Sequence, residues 1–61
     1  MIITTQKYQT QLTTKLLNTL NLNFIILNNK LIFTHSINNQ QLKDITKLLN
    51  KHYLKYTITK S

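Results

Sequence analysis

For triad or carboxylate chemistry the sequence offers few side chains: His35, His52, Ser36, Ser61 and one carboxylate, Asp44. A single carboxylate cannot form the acid–base pair of a glycosidase, nor an all-carboxylate metal cage. A Ser–His–Asp set would have to come from these five residues, and nothing in their spacing gathers them. Glycine is absent, so neither a nucleophile elbow nor a phosphate-cradling loop can be built. Cysteine is absent too, which excludes disulfides and thiolate metal sites. His35 reads as the end of a strand and His52 as the rim of a core. The expectation is a protein that is not an enzyme, with no cofactor and no metal.

Lysine is what the sequence holds in quantity. Eight lysines stand against Asp44, for a net charge of +7. A field this one-sided favours a polyanionic partner and works against the isolated compact state by self-repulsion. Lys43, Lys47, Lys51 and Lys55 recur every four residues. On a helix they would form a ridge about 18 Å long, opposite Leu42, Ile45 and Leu49. Like charges at this spacing destabilise an isolated helix. Phosphates of a nucleic acid would relieve that repulsion and release counterions. Lys7, Lys15, Lys30 and Lys60 would add to the same field. The bland alternative is a solvated face, but such faces normally mix both signs. Lysine without arginine points to phosphate contact rather than bidentate reading of base edges.

The elements that must position these residues follow from periodicity. Leu22–Leu27 and Lys30–His35 flank Asn28-Asn29, a pair that suits a two-residue type I′ turn. That register sets Leu27 opposite Lys30, Ile26 opposite Leu31 and Phe24 opposite Phe33. One face then carries Leu22, Phe24, Ile26, Leu31 and Phe33 and reads as core. The phenylalanines are a cross-strand core pair rather than RNA-stacking rings. The other face carries Ile25, Leu27 and Ile32, too apolar for solvent alone, and these three are candidates for a protein contact. Upstream, Tyr8, Leu12, Leu16 and Leu20 suit one side of a helix over Gln6–Leu20. Downstream, Ser36 or Asn38 can cap a second helix, with Leu42, Ile45, Leu49, His52 and Tyr53 on its inner face. Leu54, Tyr56 and Ile58 then alternate with Lys55, Thr57 and Thr59 as in a half-buried strand. Ile2–Thr5 can supply a short first strand.

An internal echo runs through this pattern. Lys15-Leu16-Leu17-Asn18 returns thirty-two residues later as Lys47-Leu48-Leu49-Asn50. Leu22 and Phe24 are matched at the same offset by Leu54 and Tyr56. Two helix–strand units would produce this. The whole reads as one α+β domain over residues 1–61, a small (β)αββαβ ferredoxin-like or split-βαβ sandwich. Its antiparallel sheet would have two helices on one face.

Setting follows from what is missing. Gly, Pro, Ala, Val, Arg, Glu, Cys and Trp do not occur, and codons rich in A and T write most of what does. An extremely AT-rich genome explains this bias. The opening MIITTQKYQT lacks the apolar stretch of a signal peptide and the arginines of a transit peptide, so no leader is expected. Phe24–Leu27 is the longest apolar run, far below the ~20 residues of a membrane span. The expected function is a structural subunit of a ribonucleoprotein: an organelle-encoded ribosomal protein, mitochondrial or plastid, in the organelle matrix or stroma. Its partners would be rRNA and neighbouring proteins, with no small-molecule substrate. A small phage or plasmid DNA-binding regulator or inhibitor, dimeric and in the cytoplasm of a bacterial or viral host, is the second reading. A peripheral subunit of an organelle respiratory complex is the third.

Overall fold

Ile2–Thr5 does form a strand, β1, and it lies inside the sheet. The computed structural model describes residues 1–60. After β1 come a 3-10 turn at Lys7–Gln9, helix α1 (Thr10–Asn18), strands β2 (Phe24–Leu27) and β3 (Lys30–Phe33), helix α2 (Asn39–Lys51) and strand β4 (Tyr56–Thr59). The sheet order is β2-β3-β1-β4, and each neighbouring pair is antiparallel. This is the small ferredoxin-like α+β arrangement of two interleaved split βαβ units.

The hairpin takes the expected register, with Leu27 on Lys30 and Phe24 on Phe33. Its turn differs from the expectation. Only Asn28 has positive φ, 55°, whereas type I′ needs it at both central residues. Asn29 is engaged with β1 instead. Its side-chain amide donates to the Thr5 carbonyl at 2.7 Å. Its own carbonyl accepts from the Thr5 amide at 2.9 Å and from the Thr5 hydroxyl at 3.1 Å. Three hydrogen bonds thus tie the hairpin tip to the end of the central strand.

Helix α2 starts where a capping residue stands. The Gln41 amide donates to Asn38 Oδ1 at 2.7 Å, and the Asn38 amide donates to Gln41 Oε1 at 3.0 Å, a complete capping box. No side chain caps α1. It is shorter than the Gln6–Leu20 span expected, because the chain enters through the 3-10 turn. Its inward stripe also differs: Tyr8 is 79% and Leu12 45% exposed, while Thr13 and Leu17 are buried. Thr13 tolerates burial because its hydroxyl donates to the Gln9 carbonyl at 2.8 Å. Hydropathy alone passes over a threonine, and the leucine pattern therefore sits one residue out of step. Leu16 and Leu20 still pack partly against the core.

The core holds Ile3, Leu17, Leu31, Phe33, Ile45, Leu49 and Leu54. All of it lies between the two helices and one face of the sheet. Phe24 and Phe33 form a tilted ring pair with centroids 5.3 Å apart. Ile26, expected in the core, is 47% exposed, at the hairpin end of the edge strand β2.

The two α–β units correspond in their local detail. Thr13 and Ile45 are buried at equivalent sites, as are Leu17 and Leu49. The Thr14 hydroxyl donates to the Thr10 carbonyl, and the Thr46 hydroxyl to that of Leu42. Asn21 and Tyr53 both take positive φ, 57° and 56°, just after the helices.

The offset stripe has a direct consequence. Leu17→Ala should destabilise the fold by about 2–5 kcal/mol, and Leu12→Ala by less than about 1 kcal/mol. Urea melts of both variants check this; equal losses would restore the stripe expected from hydropathy.

Candidate nucleic-acid interface

At about 100° per residue, Ile45 and Leu49 point to one side of α2. The mean direction of Lys43, Lys47 and Lys51 lies opposite, and all three are exposed. Burying the isoleucine and leucine therefore forces the lysines into solvent as a row. The row spans about 12 Å, at ~1.5 Å per residue. Lys55 does not extend it. The helix ends at Lys51, and Tyr53 turns the chain through a left-handed conformation. The Tyr53 amide donates to the Asn50 carbonyl and the Leu54 amide to the Leu49 carbonyl, both at 3.1 Å. This is a Schellman-type ending, and it returns Leu54 to the core. Lys55 thus lies beyond the turn, where its amide donates to Gln9 Oε1 at 3.1 Å.

The remaining lysines, also exposed, spread the charge. Lys60 lines an open depression of about 470 Å³ with Met1, His35, Ser36 and Asn39, at one end of the sheet. Lys7 lies at the other end, beside Thr10, Gln11, Asn28 and Asn29. Lys15 stands on α1. Lys30 differs from the rest: its register, opposite Leu27 and Thr4, puts it on the sheet face away from the helices. Against these cations stands only Asp44, whose Oδ1 accepts from Gln40 Nε2 at 3.1 Å on the same helix.

The residues that sequence could offer for catalysis sit in ordinary surroundings. His35 lies just past β3, its Nε2 3.1 Å from Asn23 Nδ2. His52 is the C-cap of α2 and is exposed, not at the core rim as expected, because the helix ends before it could turn inward. Ser36 is exposed beside His35. Ser61 lies outside the described residues. Among the described residues no group of three His, Cys, Asp or Glu is placed to hold a metal ion. No described helix is long and apolar enough to cross a membrane.

The sheet face away from the helices is uncovered. Ile25 is 58% and Leu27 57% exposed there, and Ile32 is half-buried between its neighbours. Strand register lines up Ile25, Ile32, Ile2 and Thr59 as one row across all four strands. Ile2 joins this row because β1 is central. Two further exposed residues escape a reading by periodicity: Tyr8 and Tyr53, both assigned inward by their spacing. The positive φ at Tyr53 and the 3-10 turn under Tyr8 are what turn them out.

Self-repulsion along the row is measurable. Replacing Lys43, Lys47 and Lys51 together by Gln should raise the melting temperature at low salt. The gain should vanish near 1 M salt, where the Debye length falls to about 3 Å. Thermal melts across a salt series check this, and a gain that survives high salt would mean the lysines strain the helix by something other than charge. No family model, curated protein or solved structure matches this chain, so its chemistry is read from these residues themselves.

Proposed function

We propose that this protein is a non-catalytic structural subunit of a ribonucleoprotein. The AT-rich residue usage favours a ribosomal protein encoded in an organelle genome. The observation that carries the reading is the one-sided exposed charge: eight solvent-facing lysines and one acid, with three lysines ranked along the outer side of α2. Lys43, Lys47 and Lys51 dock on RNA phosphates, with Lys7, Lys15, Lys55 and Lys60 around them. Counterion release supplies most of the affinity. The uncovered apolar row (Ile25, Ile32 and Leu27 beside it) meets a neighbouring protein, with Lys30 at its border.

A DNA-binding regulator is the second reading. What favours it is the same uncovered sheet face, which a symmetric dimer would bury. Sedimentation of the native protein, with and without ribonuclease, separates the two. A ribonucleoprotein subunit runs with a large particle and shifts after digestion; a regulator runs as a small species throughout. In vitro, log affinity for RNA should fall linearly with log salt. The Lys43/Lys47/Lys51→Gln variant should flatten that slope by about 2, near 0.7 for each single-strand phosphate no longer neutralised. An unchanged slope would remove α2 from the interface.

A further inference from the structure

Tyr53 is a bulky residue at φ 56°, and its side chain is 90% exposed. A left-handed backbone is unfavourable for any residue with a Cβ, least so for Asn and Asp. The position is the one after a helix end that glycine or asparagine normally fills. The first α–β unit does this in the ordinary way, with Asn21 at φ 57° in the equivalent place. Tyrosine and asparagine codons are equally rich in A and T, so base composition does not choose between them. Burial does not explain the choice either, since the ring contributes nothing to the core. The second unit therefore carries a backbone strain with no return in packing, and such strain gathers at functional positions.

What surrounds Tyr53 gives the chemistry. The hydrogen bond from the Lys55 amide to Gln9 Oε1 joins the end of α2 to the start of α1. It brings Tyr53 and Tyr8, the residue before Gln9, to the same end of the molecule. Tyr8 is the other strongly exposed aromatic of the chain. Lys7, Lys51 and Lys55 flank the two rings in sequence and are all exposed. Exposed rings among cations are the composition that holds single-stranded nucleic acid: bases stack on the rings while lysines take the phosphates.

We infer that Tyr53, with Tyr8, stacks unpaired bases, so that this end of the protein binds single-stranded RNA while the α2 lysines hold backbone of either kind. The inference rests on the reading of the partner as RNA. The test uses the full chain with a labelled oligouridylate of about twenty nucleotides and an RNA duplex of similar length. Tyr53→Asn should weaken the single strand by about 5- to 150-fold, the range for one base–aromatic stack, and leave the duplex unchanged. Tyr53→Phe keeps the ring and should bind like the wild type. Tyr53→Asn should also melt higher by about 4–8 °C, because asparagine takes the left-handed backbone with less strain. A Tyr53→Asn protein that binds the single strand as tightly as wild type, or loses affinity equally for the duplex, overturns the inference. If binding follows the lysines and ignores Tyr53, the ribonucleoprotein reading stands without the stacking site. If the wild type binds neither RNA, both fall.

Discussion

Two leucines, Leu17 and Leu49, hold this fold together. Both are fully buried, at equivalent points of the two α–β units, and they meet Ile3 and Leu31 from the central strands. A chain of this length buries a modest share of its unfolded surface and has little stability to spare. With a net charge of +7, its surface works against compactness. The core must therefore do the stabilising, helped by local devices that need no charge: the Asn38–Gln41 capping box, the Asn29–Thr5 clasp and the threonine hydroxyls bonded back along each helix. None of these involves a lysine side chain. The cationic surface is thus free of structural duty, and a partner can take it up without disturbing what holds the chain.

The two units agree inside and differ outside. Two buried positions on the helices match at the thirty-two-residue offset, Thr13 with Ile45 and Leu17 with Leu49, as do the helix-end turns at Asn21 and Tyr53. Toward solvent the pairs diverge: Asn21 against Tyr53, Ile25 against Thr57, Leu27 against Thr59. A shared interior constrains both units to one packing solution. The outer positions carry no such constraint, and it is there that the units take up different surface chemistry.

Much of this was readable from the residues. The hairpin register followed from Asn28-Asn29 and the alternation around it, and β4 from its strict alternation. The lysine row on α2 followed from its spacing of four. What escaped the sequence depends on how elements end. The first helix gave up its first turn to a 3-10 entry, and a buried threonine stood where leucine spacing placed none. Tyr53 and His52 were assigned inward because a helical period was carried past Lys51, where the chain in fact turns left-handed. For the same reason Lys55 fell away from the row. Helix ends are set by capping and by the pull of a core residue just beyond, here Leu54, and period alone does not register either.

The divergence of the units also sorts charge. No charged residue stands between Lys15 and Lys30, the stretch that forms the end of α1 and all of β2. From Lys43 onward the second unit carries Lys47, Lys51, Lys55 and Lys60 as well. The two edges of the sheet inherit this difference. Strand β4 is flanked by Lys55 and Lys60 and turns threonines outward on the open face, the kind of edge that resists further strand pairing. Strand β2 carries only apolar side chains, with Ile25, Ile26 and Leu27 all exposed. The β2 edge carries no charge of its own and has Lys30 as its one cationic neighbour across the hairpin, whereas α2 presents three lysines in a row. One small core thus carries a cationic side and an apolar edge, and the proposed assembly of RNA and protein is a setting in which both would be covered.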